Sequence, residues 1–313
     1  MSLNILFYSP DGKPEPWIEG FARALPEAQL QVWREGDAAP IPADYAVLWK
    51  PPAALLQGRD DLKAVFNLGA GVDAVLELGA ALPPGVPIVR LDDAGMAVQM
   101  AEYVSHAVLR YFRRFDQYAL QARDGQWRFL PPYDKQYFAV GILGLGVLGS
   151  RIAAALQHFG FSVNGWSRHH KAVPGVRSYA GSEELDQFLC NSRVLVCTLP
   201  LTPDTTNLLD RSTLAKLPHG AYLINVARGA HLVEEDLLAL VQNGHIAGAT
   251  LDVVRKEPLP PTHPFWQEPR ITLTPHIAAL TLRDESIRQI ADKIRALQRG
   301  EQIAGLVDRN RGY

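Results

Sequence analysis

Short apolar runs rich in Val, Ile, Leu and Phe alternate along the chain with longer stretches of helical periodicity. This alternation predicts parallel strands joined by crossover helices, because a strand covered on both faces reads as a continuous apolar run. A first series comprises Ile5–Ser9, Tyr45–Trp49, Ala64–Leu68 and Ile88–Leu91. From about Met96 to Arg123 the chain contains neither Gly nor Pro, and Tyr103, Val104, Ala107, Val108 and Tyr111 recur at helical spacing, so one long helix is predicted there. After Pro131-Pro132 a second series follows: Phe138–Leu143, Phe161–Trp166, Val194–Leu199, Ala221–Val226, Ala247–Val253 and Ile271–Thr274. Those strands predict a complete doubly wound sheet.

A last helical segment, about Thr281 to Arg299, leads to the polar stretch Asp308-Arg309-Asn310-Arg311 and is assigned back to the first series. The expected domains are therefore 1–99 with 281–313, for substrate, and 100–280, for a dinucleotide. Two crossings between them define a hinge, and ligands commonly bind in clefts between domains. Neither internal repeats nor low-complexity segments interrupt this plan.

Composition adds limits. With 313 residues, 47% of them hydrophobic, the chain buries a large core near the length at which single cores divide. The net charge of −2, from 31 basic and 33 acidic residues, gives no global field for nucleic acid or a membrane surface, so any anion must be held locally. The apolar run Ile5–Tyr8 is too short for a signal peptide, and no stretch approaches the ~20 apolar residues of a membrane span. Two cysteines, Cys190 and Cys197, are too few for a disulfide framework and form no Cys-x-x-Cys pair. Reduced thiols in the cytoplasm are expected.

The segment Gly144-Leu145-Gly146-Val147-Leu148-Gly149 follows the predicted strand directly and precedes a helix predicted over Ser150–Phe159. Order matters here: the first glycine makes the tight turn, the second admits a pyrophosphate and the third lets helix pack on strand. The helix N-terminus then offers free N–H groups to the phosphates. An NAD site would place Asp or Glu about 20 residues further on. Between Gly149 and Glu183 there is no carboxylate, and the second strand runs into Ser167-Arg168-His169-His170-Lys171. Ser167, Arg168 and Lys171 thus favour the extra phosphate of NADPH over NAD, a charge-assisted contact being worth roughly 1.5–3 kcal/mol. A solvated loop is the bland alternative for Arg168 and Lys171. The paired His169 and His170 point apart on an extended loop with no acid or thiol nearby in sequence, so no metal is expected.

Three strand ends supply candidate chemistry: Asn225-Val226-Ala227-Arg228-Gly229, then Asp252 to Glu257-Pro258-Leu259, then Thr274-Pro275-His276. Carboxyl ends of parallel strands face the binding crevice, where Leu199, Pro200, Val226, Ala227 and Asp252 are expected to line the cofactor. Reduction of a 2-oxo acid builds charge on the carbonyl oxygen, which must be protonated as it develops. A histidine such as His276 is the natural donor, a carboxylate such as Glu257 would fix its tautomer, and Arg228 offers a planar double donor for carboxylate and carbonyl oxygens. Structural readings stand beside these: Glu257 as cap of the Pro258–Pro261 turn, His276 as a satisfied core histidine, Arg228 as partner of an acid.

Taken together, Gly144–Gly149, Asn225–Gly229, Glu257-Pro258-Leu259 and Thr274-Pro275-His276 resemble, in order and over essentially the whole chain, the D-isomer-specific 2-hydroxyacid dehydrogenases. Leu68-Gly69-Ala70-Gly71-Val72-Asp73, Trp166-Ser167-Arg168, Leu232 to Asp236, and Val307-Asp308-Arg309 with Arg311-Gly312-Tyr313 resemble the branch that reduces glyoxylate and hydroxypyruvate. The resemblance implies a Rossmann sheet with a smaller flavodoxin-like α/β domain, Arg228 orienting substrate, His276 donating the proton and Glu257 supporting it. It also implies that the Ala70 and Gly71 amides receive the substrate's carboxylate, with Trp49 lining the same cleft, and a cytoplasmic homodimer packed through the helix from Met96 and the Trp127–Pro132 segment. Lys50 departs from the histidine that some relatives carry there. A cofactor-sensing binding protein of the same fold, which would tolerate loss of His276, and another 2-hydroxyacid dehydrogenase, such as an NAD-linked one acting on phosphoglycerate, are the competing readings.

Overall fold

Continuous apolar runs become strands covered on both faces, in a chain that divides into two compact units, Met1–Gly95 with Thr281–Tyr313, and Met96–Leu280. The computed structural model describes residues 3–10, 13–37 and 42–312, so Tyr313 of the C-terminal motif and the first two residues lie outside the described residues. In the first unit, β1 (Leu3–Tyr8), α1 (Glu15–Ala24), β2 (Ala28–Val32), β3 (Tyr45–Leu48), β4 (Ala64–Asn67), the short α2 (Asp73–Leu76) and β5 (Ile88–Val89) follow in turn. Every pairing is parallel and the order is β2-β1-β3-β4-β5, the order of flavodoxin-like sheets.

The second unit runs α3 (Met96–Phe112), α4 (Phe115–Arg123), β6 (Val140–Leu143), α5 (Val147–His158), β7 (Val163–Ser167), β8 (Val176–Ala180), α6 (Leu185–Cys190), β9 (Val194–Cys197), α7 (Arg211–Leu214), β10 (Ala221–Asn225), α8 (Glu234–Gln242), β11 (Ile246–Leu251) and β12 (Ile271–Leu273). Its parallel sheet has the order β12-β11-β10-β9-β6-β7-β8. Each central strand feeds two layers. Val194 and Val196 of β9 join the core under α3 and α5, while Leu195 and Cys197 join the opposite one with Phe188, Leu237 and Val241. Burial pushes the Cys197 thiol up to about 12. The chain then returns to the first unit as α9 (Arg283–Gln298), whose buried Ile287, Ile290, Ala291 and Ile294 repeat at helical spacing. Beyond α9, Val307 N donates to Ile88 O at 2.9 Å and Arg309 Nη2 to Pro83 O at 3.0 Å, so the C-terminal segment lies along β5.

Three expectations need correction. The single helix predicted over Met96–Arg123 is two, because Arg114 is left-handed with φ 58°, its guanidinium 4.3 Å over the Tyr133 ring and bonded to Gln117 Oε1. A second correction concerns β2 and β8, which are not among the strands predicted from apolar runs. Both are edge strands with mostly half-buried positions and polar residues among the apolar ones, and so lack the continuous apolar run of their neighbours. Finally, the helix expected from Ser150 begins at Val147, which makes Val147, Leu148 and Gly149 its first turn.

The α3 layer is closed by rings: Tyr111 stacks on Tyr222 with centroids 4.6 Å apart, and Phe138 meets Tyr111, Phe112, Tyr133 and Phe161. Phe138→Ala is expected to destabilise the second unit by about 3–5 kcal/mol, read as a lower urea midpoint at unchanged slope.

Candidate active site

The strand order sets where a ligand can sit. β6 and β9 lie side by side, and the connection after β6 runs to β7 on one side while that after β9 runs to β10 on the other, which opens a crevice at their carboxyl ends. Gly144 makes the turn there with φ 100°, a backbone region that side chains avoid. A Cβ on Gly149 would lie 1.9 Å from Gly144 O, whereas one on Gly146 would meet nothing within 4 Å. The loop is thus closed on the protein side and open on the other, which fits a pyrophosphate approaching the first turn of α5. Thr198, at the end of β9, holds it in place by donating from Oγ1 to Gly144 O at 2.8 Å. Val147 is 53% exposed at the mouth and Leu148 packs inward.

Arg228, Glu257 and His276 follow the neighbouring strands β10, β11 and β12. Gly229 brings the first two loops together, since its missing Cβ would fall 2.0 Å from the carbonyl carbon of Val254. Glu257 Oε2 accepts a hydrogen bond from His276 Nδ1 at 2.9 Å, and Glu257 Oε1 accepts one from Val254 N at 3.3 Å. Glu257 therefore caps its own turn and orients the imidazole at once. This pairing puts the ring hydrogen on Nδ1, so Nε2 remains for a ligand. His276 is 44% exposed, which excludes the core-histidine reading. Arg228 Nη1 donates to Ala227 O at 2.8 Å, and Asn225 Nδ2 donates to Arg228 O at 3.0 Å.

The family is decided at this point by comparison with known proteins. Residues 105–278, more than half of the chain, match the model of the D-isomer specific 2-hydroxyacid dehydrogenase NAD binding domain. The chain belongs to that family. Its whole length aligns with the whole of a D-isomer specific 2-hydroxyacid dehydrogenase from Xanthobacter autotrophicus Py2, solved with NADPH and MES, at 40% identity and TM-score 0.95. An NADPH-dependent glyoxylate/hydroxypyruvate reductase from Sinorhizobium meliloti, solved with NADP and sulfate, is 35% identical at TM-score 0.91, with 99% of this chain and 100% of that one covered. A probable 2-hydroxyacid dehydrogenase from Rhizobium etli CFN 42, solved with NADP, HEPES and L(+)-tartaric acid, is 33% identical at TM-score 0.90, with 99% of each chain covered.

In this 2-hydroxyacid dehydrogenase the end of β7 carries charge that is already engaged. Ser167 Oγ donates to His169 O at 2.7 Å, and Lys171 Nζ donates to Leu145 O at 3.0 Å, tying its loop to the phosphate loop. Arg168, about half exposed, lies 3.9 Å from Asp204, and His170 lies 3.4 Å from Glu184. The expectation of no acid beside the histidine pair is thus corrected: Glu184 comes from beyond β8. Among the described residues no group of three His, Cys, Asp or Glu side chains is placed to hold a metal ion.

Leu199, Val226 and Ala227 are buried strand-end residues of the dehydrogenase, and Pro200 O accepts from Thr205 Oγ1 at 2.8 Å. Asp252, expected to face the cofactor, is 2% exposed with its carboxylate turned to the His276 loop. Oδ1 accepts from Thr274 Oγ1 at 2.6 Å and Ile277 N at 2.8 Å, and Oδ2 from Ala278 N at 2.8 Å. The Tyr103 hydroxyl on α3 lies 2.5 Å from Thr274 Oγ1, and burial pushes its pKa up to about 12. His231, fully buried, links Pro200 O at 3.3 Å to the Arg228 backbone through its two ring nitrogens. Sequence reasoning missed Thr198, His231 and Tyr103, since nothing in their local pattern marks which distant carbonyl or hydroxyl they meet. Trp49, Ala70 and Gly71 belong to the first unit, at the ends of β3 and β4.

Proposed function

We propose that this dehydrogenase reduces small 2-oxo acids, glyoxylate to glycolate and hydroxypyruvate to glycerate, with NADPH as the reductant. The observation that carries the reading is the His276 Nδ1–Glu257 Oε2 bond at 2.9 Å on loops adjacent to that of Arg228, at the carboxyl edge of a nucleotide-type sheet. The phosphate loop with Val147 and Leu148 holds the dinucleotide, flanked by Leu199, Pro200, Val226 and Ala227, while Ser167, Arg168 and Lys171 receive the adenosine-side phosphate. When bound, the reduced nicotinamide supplies a hydride equivalent. As the carbonyl carbon gains hydride, a doubly protonated His276 delivers its Nε2 proton to the oxygen and is left neutral with its hydrogen on Nδ1, where Glu257 keeps the ring in line. Arg228 orients the substrate through paired donors, and the Ala70 and Gly71 amides, with Trp49 beside them, receive its carboxylate. Lys171, anchored on Leu145 O, sets a cation beside the phosphate loop. Unbridged Cys190 and Cys197 support a cytoplasmic enzyme.

Steady-state oxidation of NADPH against a panel of short 2-oxo acids tests the activity directly, and no turnover on any of them rejects it. His276→Ala is expected to lower kcat by about 10²- to 10⁴-fold with NADPH still bound, and loss of cofactor binding instead would make the residue structural. Arg168→Ala should weaken NADPH by about tenfold, the value of one charge-assisted bond partly screened by water, and leave NADH nearly unchanged. Equal losses for both cofactors would reject the phosphate assignment.

Homodimer formation is part of the same proposal. Phe115 at 52%, Trp127 at 104%, Phe129 at 77% and Tyr137 at 76% exposure form a run of uncovered rings from α4 to the start of β6. Large apolar side chains gathered in this way mark association surfaces. Sedimentation should give a dimer, and Trp127→Ser with Phe129→Ser a monomer; a wild-type monomer at micromolar concentration speaks against it.

A further inference from the structure

Under the Ala70-Gly71 turn lies a polar side chain with no role so far. Asn67 closes β4, is 1% exposed, and donates from Nδ2 to Gly69 O at 3.0 Å and to Gly71 O at 2.9 Å. Both hydrogens of the carboxamide are used. Leu91 N adds a 3.3 Å bond to the same Gly69 carbonyl. On the other side of Gly69 the Trp49 ring fills the space of a side chain, with Cζ3 only 2.7 Å from where a Cβ would stand. The carbonyls of the turn are therefore drawn inward by Asn67 and Leu91, and the ring closes the space beside Gly69.

The consequence falls on the N–H groups. Among the described residues no acceptor meets the Ala70 or Gly71 amide, and both residues are half-buried. Successive unpaired amides in a turn form a concave donor pair for an anion, provided the peptide planes cannot rotate. A freely rotating turn would bury its own donors or expose its carbonyls to the anion. Only a side chain that donates twice from below keeps two alternate carbonyls pointing away. Leucine would leave the Gly71 carbonyl unsatisfied and the Gly69 carbonyl with only its 3.3 Å bond from Leu91 N, and aspartate would set an oxygen against both.

We infer that Asn67 is a positioning residue for the substrate carboxylate, holding the Ala70 and Gly71 amides as a fixed two-donor cradle and so selecting a carbonyl that sits next to a carboxylate. This rests on the function proposed above.

The test compares the full-length wild type with Asn67→Ser and Asn67→Asp. With saturating NADPH, KM for glyoxylate should rise about tenfold or more, the worth of one charge-assisted bond, while kcat stays within about threefold. The inhibition constant of oxalate, an unreactive carboxylate, should rise in parallel, and NADPH affinity measured by fluorescence should not move. Unchanged KM and oxalate inhibition overturn the inference, as does a KM rise matched by an equal loss of NADPH affinity. If Asn67→Asp fails to fold, Asn67→Ser decides by the same measures. Should the wild type reduce no 2-oxo acid, the proposed function fails by itself; oxalate titrated onto the NADPH-bound protein then decides on Asn67, weaker binding to Asn67→Ser supporting it and equal or no binding overturning it.

Discussion

The carboxylate of Asp252 is the constraint on which the candidate site depends. It is almost fully buried, and three donors from the 274–278 segment satisfy it while its own carbonyl accepts from His276 N at 2.8 Å. Removing those donors would leave a buried carboxylate uncompensated, at a cost of several kcal/mol, so the segment is held firmly to β11. His276 sits in the middle of this grip with φ 57°, a left-handed backbone that costs a non-glycine residue about 1–2 kcal/mol. The strain persists because the amides on either side are fixed by Asp252. By contrast, the His276–Glu257 pair is nearly half exposed at both ends and is worth only about 0–1 kcal/mol in stability. Its contribution is direction: the buried network fixes the backbone and the exposed carboxylate turns the ring.

The same division explains what could be read from the sequence. Continuous apolar runs announce themselves, so β1, β3, β4, β5, β6, β7, β9, β10, β11 and β12 were all legible within a few residues. Edge strands β2 and β8 leave most positions partly exposed, and their mixture of polar and apolar residues disappears among loops. The break at Arg114 carries no Gly or Pro, because an arginine stacked on Tyr133 pays for the left-handed turn through tertiary contact. In the site, Arg228, Glu257 and His276 were visible as polar residues just after apolar strands. Partners that hold them were not, since Thr198, His231 and Tyr103 act across the fold on carbonyls and hydroxyls that leave no trace in local spacing.

Charge at the far end of the phosphate loop shows how a motif can be right in kind and incomplete in detail. The sequence lacks an acid between Gly149 and Glu183, which removes the usual partner of a ribose hydroxyl. Folding nevertheless returns carboxylates to the neighbourhood: Asp204 from the loop after β9 lies 3.9 Å from Arg168, and Glu184 lies 3.4 Å from His170. Both acids come from other strand ends, and Asp204 is 84% exposed, so water screens its pull on the guanidinium. A phosphate dianion brings more charge and several acceptor oxygens to the same guanidinium. The exposed pair with Asp204 therefore leaves room for the phosphate contact proposed for Arg168.

Asn67 and Asp252 solve one problem in opposite senses. At the His276 loop the backbone must present amides inward, so a buried acceptor, Asp252, gathers them. At the Ala70-Gly71 turn it must present amides outward, so a buried donor, Asn67, gathers the carbonyls instead. Either side chain placed at the other position would meet groups of its own polarity. Loops at strand ends have no ladder to fix their peptide planes, and a single satisfied polar side chain beneath them does the fixing at the expense of desolvating that side chain. This accounts for two polar residues sitting among the least exposed positions of their units, at the ends of strands that are otherwise largely apolar. It also separates two kinds of polar residue: the His276–Glu257 pair stays partly exposed, and Asn67 and Asp252, which hold backbone groups, are sealed below.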